Sequence, residues 1–186
     1  MKQRLTVICG WPMSGKTTVA RGLKHALGDH WIDADDVWVL FFGQPNPNPV
    51  TEEERAKDGQ EVRRTYQLLI AGAGLHLELG RSLIISAPFS RTVGWSDLTE
   101  MMKGIPDVEV KVIWCKPSSD NETEIAQRLS LRQFGVNCWS SVNTSDRYLS
   151  GRGKFETPAI PHLMLDTSLP FTEGDSVSQA LAYIKS

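Results

Sequence analysis

The feature that most constrains the fold of this chain is the segment from Gly10 to Thr17, which reads G-W-P-M-S-G-K-T. It matches the phosphate-binding loop pattern G-x-x-x-x-G-K-[ST] at every fixed position. The loop follows a β-branched apolar run at 5–9 and opens a helix-forming stretch at 17–27. This order lets the backbone N–H groups of the loop and the positive end of the helix face the same phosphate oxygens. The alternative, a glycine-rich turn with no ligand, accounts less well for the strand and the helix around it. A nucleoside triphosphate is the expected ligand.

Within the loop, the pattern assigns a task to each chemical group. Lys16 is expected to reach the β- and γ-phosphates, and the hydroxyl of Thr17 is expected to complete the shell of a Mg²⁺ ion. The residues expected to contact the nucleotide are the whole loop and its successor: Gly10, Trp11, Pro12, Met13, Ser14, Gly15, Lys16, Thr17 and Thr18.

The bulk composition is that of an ordinary soluble domain. The chain has 186 residues, 40% of them hydrophobic, and a formal net charge of −2. A single domain over residues 1–186 is expected, as a monomer or homodimer. The charge balance argues mildly against nucleic acid as a partner, although a local basic cleft remains compatible with it. Three cysteines without metal-binding spacing and an N-terminal apolar run too short for a signal peptide indicate a cytoplasmic protein with no membrane segment.

Apolar strand patterns alternate with helical ones along the chain. Strands are predicted at 5–9, 82–86, 108–115 and 162–165, with a shorter one at 30–32. Helices are predicted at 17–27, 51–79, 93–103, 122–134 and 174–185, the second of them kinked or broken near Gly59 or the pair Gly72 and Gly74. This alternation predicts an α/β fold, a five-stranded parallel sheet with helices on both faces. Residues at approximately 121–157 are predicted to form an arginine-bearing lid.

An acidic cluster follows the short second strand, at the sheet edge where ligands gather. It consists of Asp33, Asp35 and Asp36. Phosphoryl transfer often uses a carboxylate that accepts the proton of the attacking hydroxyl, and Asp35 is the favoured candidate, also as a Mg²⁺ ligand. Asp36 remains open as the base or as an acceptor contact. The alternative is that these carboxylates cap the next helix, which is the role expected of Asp33.

Two arginines on the fifth predicted helix share one face, because Arg128 and Arg132 are four residues apart. Cations that close over a transferring phosphoryl group stabilise its developing charge, so both are candidate catalytic residues. Arg147 and Arg152 follow in the predicted lid. The alternative is a solvated charged helix face.

The candidates for the acceptor pocket are weaker. Arg91 follows the third strand, and Arg63 or Arg64 lies in the long helix, where a guanidinium could bind an anionic acceptor. Trp38 follows the acidic cluster and could line the pocket, although an aromatic residue at helical spacing is also common packing.

The chain resembles the small P-loop kinases that phosphorylate metabolites or nucleic-acid ends. These include adenylylsulfate kinase, gluconate kinase, chloramphenicol phosphotransferase and the 5′-kinase domain of polynucleotide kinase. The segment I-D-A-D-D-V at 32–37 is similar to the L-D-G-D-N-V of adenylylsulfate kinases. It is also similar to the R-D-D-Y of polynucleotide kinases, whose first aspartate is the general base and falls on Asp35. The segment I-S-A-P-F-S-R at 85–91 loosely resembles a third kinase element, I-S-P-[YF]-R.

The resemblance extends to the C-terminal part of the chain. K-F-E-T-P at 154–158 and P-H-L-M-L-D-T at 161–167 look like the ending of these kinases. Their lid helix carries two arginines that match Arg128 and Arg132. The first commonly stacks on adenine opposite the loop after the last strand, here near Leu169 and Pro170. The resemblance therefore implies ATP and Mg²⁺ as cofactors and places Arg128 at the nucleotide.

Three departures from the family pattern concern mainly the acceptor. Trp38 stands where adenylylsulfate and polynucleotide kinases place an arginine for the acceptor's phosphate, and Ser86 replaces an aspartate common at the end of the third strand. The lid also lacks the family's K-G-L-Y-K-K-A-R run. Trp38 favours an acceptor that is less anionic than adenylylsulfate.

The function expected from these residues is transfer of the γ-phosphate of ATP to a hydroxyl of a small molecule. Two other readings stay open at this point. One is a nucleic-acid 5′-kinase or a nucleotide-sugar kinase of the zeta-toxin kind. The other is a non-kinase ATPase or nucleotide-binding switch, although the apolar strand ending in aspartate that such proteins show for Mg²⁺ occurs here only in the C-terminal L-M-L-D.

Overall fold

The structure, a computed structural model, contains a central parallel sheet. It describes residues 3–44, 51–90, 92–105, 107–117, 122–130, 146, 148–149, 155, 157–168 and 173–186. Five strands form one sheet in the order β2-β3-β1-β4-β5, and all neighbouring pairs are parallel. Their bounds are β1 Arg4–Cys9, β2 His30–Asp33, β3 Leu83–Ser86, β4 Glu109–Lys116 and β5 His162–Asp166. The predicted α/β fold with a five-stranded parallel sheet is confirmed.

Helices cover both faces of the sheet. In the described part of the chain they are α1 Lys16–Leu27, α2 Ala34–Phe42, α3 Glu52–Glu78, α4 Thr92–Lys103, α5 Glu122–Ser130 and α6 Glu173–Lys185. Side chains of β1 alternate between the two faces because a strand has a period of two. Leu5 and Val7 belong to the core with α2, α3 and α4, whereas Ile8 belongs to the core with α1 and α6.

The long helix α3 differs from its prediction. It begins with a capping box, in which the Thr51 hydroxyl accepts the Glu54 N–H at 3.1 Å and the Glu54 carboxylate accepts the Thr51 N–H at 3.0 Å. It then runs for 27 residues without interruption, so of the two predicted alternatives the break near its glycines was wrong and the kink stays a prediction. A Cβ at Gly74 would lie 3.4 Å from Met101 of α4. This is an ordinary van der Waals distance, so the packing of α4 against α3 does not require a glycine at this position.

Helix α2 is absent from the elements predicted by periodicity. Its residues include V-W-V-L-F-F at 37–42, a nearly continuous apolar run that hides the helical period. Its start is fixed by Asp33, the N-cap residue, as expected for that aspartate. The predicted helix 122–134 is described only up to Ser130, and most of the predicted lid at 121–157 lies outside the described residues.

No helix in the described ranges combines the length and the apolar character needed to cross a membrane.

Candidate active site

The phosphate-binding loop joins the end of β1 to the start of α1, at the carboxyl edge of the sheet. Gly10 adopts a φ of +147°, and a Cβ there would overlap the Cys115 carbonyl oxygen and the Ser14 Oγ. Its N–H donates to the Pro88 carbonyl oxygen at 3.3 Å. Only glycine therefore fits between the loop and the end of β4.

The loop leaves the first turn of α1 open to a ligand. Gly15, at φ +83°, is the N-cap residue and provides no side-chain cap, and no acidic residue lies in the first turn. The loop is closed on itself by a hydrogen bond from the Ser14 N–H to the Trp11 carbonyl oxygen at 3.0 Å. The unsatisfied N–H groups and the positive end of the helix macrodipole together make this terminus suited to an anion.

Lys16 folds back over the loop. Its Nζ donates to the Trp11 carbonyl oxygen at 3.1 Å. Burial lowers the pKa of the Lys16 ammonium, and the nearby carboxylates of Asp35 and Asp33 oppose that shift. The charges of Asp35 and Asp33 therefore act on the loop lysine.

Asp33 is held by a relay of hydrogen bonds at the ends of β2 and β3. Its Oδ1 accepts the Asp35 N–H at 2.8 Å, and its Oδ2 accepts the hydroxyl of Ser86. The Trp31 indole N–H in turn donates to the Ser86 Oγ at 2.7 Å. Burial, with the Asp35 charge second, raises the pKa of Asp33 to about 6. The relay fixes the start of α2 and thereby the position of Asp35.

The other residues of this helix that were predicted to act lie in its first turns. Asp35 and Asp36 are exposed in the first turn of α2. The charge of the Asp35 carboxylate acts on the Lys16 ammonium. Trp38 is partly buried and packs edge-on against Phe42 at a centroid distance of 6.4 Å. Its indole N–H is buried and has no acceptor among the described residues. Trp38 therefore contributes to packing, and its indole N–H is a donor that an acceptor molecule could use.

Arg128 connects α5 to the phosphate-binding loop and to the residue that follows β5. Its Nε and Nη2 donate to Glu124 Oε1 at 3.0 and 2.8 Å. Its Nη1 donates to the Met13 carbonyl oxygen at 2.7 Å, and Nη2 also donates to the Thr167 carbonyl oxygen after β5. Only 9% of the Arg128 side chain is exposed. The structure thus places this predicted site residue against the phosphate-binding loop.

The remaining predicted residues are distributed as follows. Thr17 is exposed and Thr18 partly buried at the start of α1. Arg63 is exposed on α3, in a groove of about 320 Å³ lined by Gln60, Arg63, Arg64 and Gln67. Arg91, Arg132, Arg147 and Arg152 lie outside the described residues, and so do Leu169 and Pro170.

A hydrogen-bonded turn after β3, centred on Phe89, was not predicted from the sequence. Phe89 is buried with a φ of +47°, its N–H donates to the Tyr66 hydroxyl at 2.8 Å, and its carbonyl accepts the Trp95 indole N–H at 3.1 Å. Left-handed backbone at an aromatic residue is uncommon and persists only where its surroundings enforce it. No sequence pattern indicates it.

Glu124 was also not predicted, although its position four residues before Arg128 is the spacing of a helical ion pair.

Two free cysteines flank the loop but are poor nucleophiles. Cys9 ends β1 and Cys115 lies near the end of β4, and both are buried. Burial raises the pKa of both thiols, that of Cys115 to about 12. They therefore stay protonated, which excludes thiolate chemistry at this pair near neutral pH.

The residues present fit a Mg²⁺ ion bound together with a nucleotide. Among the described residues there is no group of three or more histidine, cysteine or carboxylate side chains that could hold a metal. Mg²⁺ bound to nucleotides does not need such a cage, since it usually takes one or two protein oxygens together with phosphates and waters. The exposed Thr17 hydroxyl and the Asp35 carboxylate offer such oxygens.

The comparisons with known proteins agree with this geometry. A family model described as "AAA domain" matches residues 5–141, which include the loop, the acidic cluster and Arg128. No curated protein matches the chain in a sequence comparison.

Several solved structures share the fold over nearly the whole chain. A sugar kinase from Janibacter sp. HTCC2649 is 19% identical, with a TM-score of 0.67, 98% of this chain and 95% of that chain covered. A gluconokinase from Sinorhizobium meliloti 1021 is 17% identical, with a TM-score of 0.61 and coverage of 98% and 91%. The APS kinase of Mycobacterium tuberculosis in complex with AMPPNP and APS is 13% identical, with a TM-score of 0.57 and coverage of 100% and 99%. At these identities the likeness shows the fold, and in the fold the resemblance to small P-loop kinases is confirmed.

Proposed function

The chain belongs to the AAA domain family, and we propose that it is an ATP-dependent kinase that transfers the γ-phosphate to a hydroxyl group of a small molecule. The observation that carries this proposal is electrostatic: Lys16 lies on the phosphate-binding loop after β1, and the charges of Asp33 and Asp35, at the end of β2 and the start of α2, act on its ammonium. A carboxylate in that place suits a kinase, which can use it to receive the acceptor's proton.

In this proposal, the loop from Gly10 to Thr18 holds the phosphates of ATP. The open N–H groups at the start of α1 would bind the phosphate oxygens, and the Lys16 ammonium would leave the Trp11 carbonyl for the β- and γ-phosphates. Thr17 and Asp35 would hold Mg²⁺, which neutralises phosphate charge when bound.

Asp35 acts as the general base of the transfer. The acceptor oxygen attacks the γ-phosphorus while its proton passes to the Asp35 carboxylate, and the bond to the β,γ-bridging oxygen breaks to release ADP. Asp33 accepts hydrogen bonds from Ser86 and from the Asp35 N–H at the helix cap. Asp35 and Asp36 are the carboxylates in the first turn of α2. Asp36 is the second candidate for the base.

Arg128 and Arg132 have different roles in this proposal. Arg128 would have to leave Glu124 and two backbone carbonyls before its guanidinium could contact a phosphoryl group. Arg132, four residues further along the sequence, is proposed as the cation that closes over the transferring group. The segment at about 121–157 is proposed as the lid of a single domain spanning residues 1–186.

The acceptor is proposed to be a neutral or weakly anionic alcohol, sugar-like or aromatic. Trp38 supports an apolar wall beside Asp35, at the position where adenylylsulfate kinases carry an arginine. Arg63, in the groove on α3, and Arg91 are the candidates for a carboxylate or phosphate of the acceptor, if it has one.

The decisive experiment incubates the protein with γ-labelled ATP, Mg²⁺ and separate panels of polyols, aromatic alcohols, nucleotide sugars and 5′-hydroxyl oligonucleotides. A labelled organic product from the first two panels supports the proposal, and Asp35→Asn should abolish it while still binding AMPPNP. Label found only in inorganic phosphate would identify an ATPase. Background label with every alcohol, together with Asp35→Asn behaving as the wild type, would overturn the kinase proposal.

A further inference from the structure

We propose that Arg128, oriented by Glu124, is a positioning residue that sets the conformation of the phosphate-binding loop before a nucleotide binds. The inference concerns the nucleotide site of the proposed function, and the contacts that carry it are all made within the protein.

Most of the N–H donors of the Arg128 guanidinium are used in hydrogen bonds within the protein. Arginine has five N–H donors. Four of them are engaged here, two with Glu124 Oε1, one with the Met13 carbonyl oxygen and one with the Thr167 carbonyl oxygen. In this state one N–H remains outside these bonds, which is too few for two-pronged binding of a phosphate. The side chain is therefore arranged to hold backbone rather than ligand.

The bond to Met13 falls at the strained point of the loop. Met13 has a φ of +69°, a left-handed conformation that a side chain with a Cβ disfavours. Such strain persists only where neighbouring contacts enforce it. The Nη1 bond to the Met13 carbonyl oxygen at 2.7 Å is a charge-assisted contact of that kind.

Packing around the ion pair adds to this restraint. Trp11 and Met13, the loop's two large apolar residues, pack with Ile125 and Leu129 of α5 and with the buried Tyr148. Glu124 is only 7% exposed, so its carboxylate and the Arg128 guanidinium neutralise each other away from water. The same guanidinium also binds the end of β5 through Thr167, whose N–H donates to Lys116 of β4 at 3.3 Å. One cation thus joins α5, the loop and the β4–β5 edge.

The test uses the full chain and a variant that removes the ion pair without leaving a buried charge, Glu124→Leu with Arg128→Met. Replacing both partners by apolar groups of similar size usually preserves stability, whereas removing one does not. The exposed pair of Glu100 and Lys103 on α4, both changed to Gln, is the matched control. Amide hydrogen exchange at 10–16 is measured without nucleotide, and the Kd for Mg²⁺-AMPPNP is measured separately.

We expect the loop amides of the Glu124→Leu/Arg128→Met variant to exchange at least tenfold faster than those of the wild type, and its Kd for AMPPNP to rise at least tenfold. The melting temperature of this variant should change by only a few degrees. The control variant, with Glu100 and Lys103 changed to Gln, should change neither the amide exchange nor the Kd. Adding Met13→Gly should bring the Kd back to within threefold of the wild type, because glycine adopts the left-handed conformation without strain.

Unchanged exchange at 10–16 would overturn the inference. A Kd that Met13→Gly does not recover would also overturn it, since that result is expected if Arg128 contacts the nucleotide directly. If the wild type binds no AMPPNP, the proposed function fails, and the exchange comparison still decides the role of Arg128.

Discussion

The Lys16 ammonium donates a hydrogen bond to the carbonyl oxygen of Trp11, five residues earlier in the same loop, at 3.1 Å. The lysine is partly buried, and its burial lowers its pKa. A carbonyl dipole compensates a buried cation less well than an anion does. A phosphate in the loop would therefore take the ammonium from Trp11, and this exchange of partners would contribute to nucleotide affinity.

The first prediction concerns this lysine. Lys16→Ala should lower the rate of phosphoryl transfer by at least about 100-fold, because the cation nearest the transferring group is lost. Turnover of labelled ATP measures it. Lys24→Ala, an exposed substitution in the last turn of the same helix, is the matched control and should leave the rate unchanged. Equal rates for the wild type and Lys16→Ala would contradict the assigned role.

The second prediction separates the two exposed carboxylates of α2. Asp35→Asn should reduce kcat by about 10²–10⁴-fold, the usual contribution of a general base. Affinity for Mg²⁺-AMPPNP should change less than kcat. Asp36→Asn, one residue further along the helix, should retain most of the activity. The reverse order of the two kcat values would assign the base to Asp36.

The fold could be predicted because its signals are local. The β-branched run before Gly10, the loop motif and the alternation of apolar strands with helical patterns each depend on neighbouring residues. The misses have the same explanation. The continuous apolar run of α2 has no clear period. Helix α3 continues through Gly59, Gly72 and Gly74, where the glycines taken alone favour a break.

The residues of the candidate site could likewise be predicted where their signal is local, whereas their long-range contacts could not. Lys16 and the acidic cluster were predicted from a motif and from strand ends, and in the structure the charges of Asp33 and Asp35 act on the Lys16 ammonium. The partners of Arg128 are separated from it by 115 residues at Met13 and 39 at Thr167, so the sequence gives its charge but not its contacts. The left-handed turn at Phe89 rests on Tyr66 and Trp95, which come from two different helices.

The third prediction concerns the backbone of the loop. Gly10→Ala should destabilise the protein by at least about 2 kcal/mol, because the new Cβ would overlap the Cys115 carbonyl oxygen and the φ of +147° is unfavourable for alanine. Gly59→Ala, at an exposed position in α3 with nothing within 4 Å of the new Cβ, should instead stabilise by about 0.5–1 kcal/mol. Urea unfolding of both variants measures the two signs. Equal effects would show that the loop is not closely packed at Gly10.

The last prediction follows from the raised pKa of Asp33. In the folded protein this pKa is about 6, above the ordinary value of 3.8, chiefly because of burial. The folded state therefore binds a proton more tightly than the unfolded chain between about pH 4 and 6. Its free energy of unfolding should fall as the pH rises through that window, by about 1–2 kcal/mol from this group.

Asp33→Asn should remove this contribution while preserving the helix cap, since asparagine caps as well as aspartate and can still hydrogen-bond Ser86. Relative to the wild type, Asp33→Asn should thus gain about 1–2 kcal/mol of stability between pH 4 and pH 7. Urea titrations at several pH values measure the difference, with Asp36→Asn as the control for loss of one carboxylate from the same helix turn. A stability difference between Asp33→Asn and the wild type that stays constant across this range would show that Asp33 titrates normally, and that the Trp31–Ser86 relay holds an ordinary ionised aspartate.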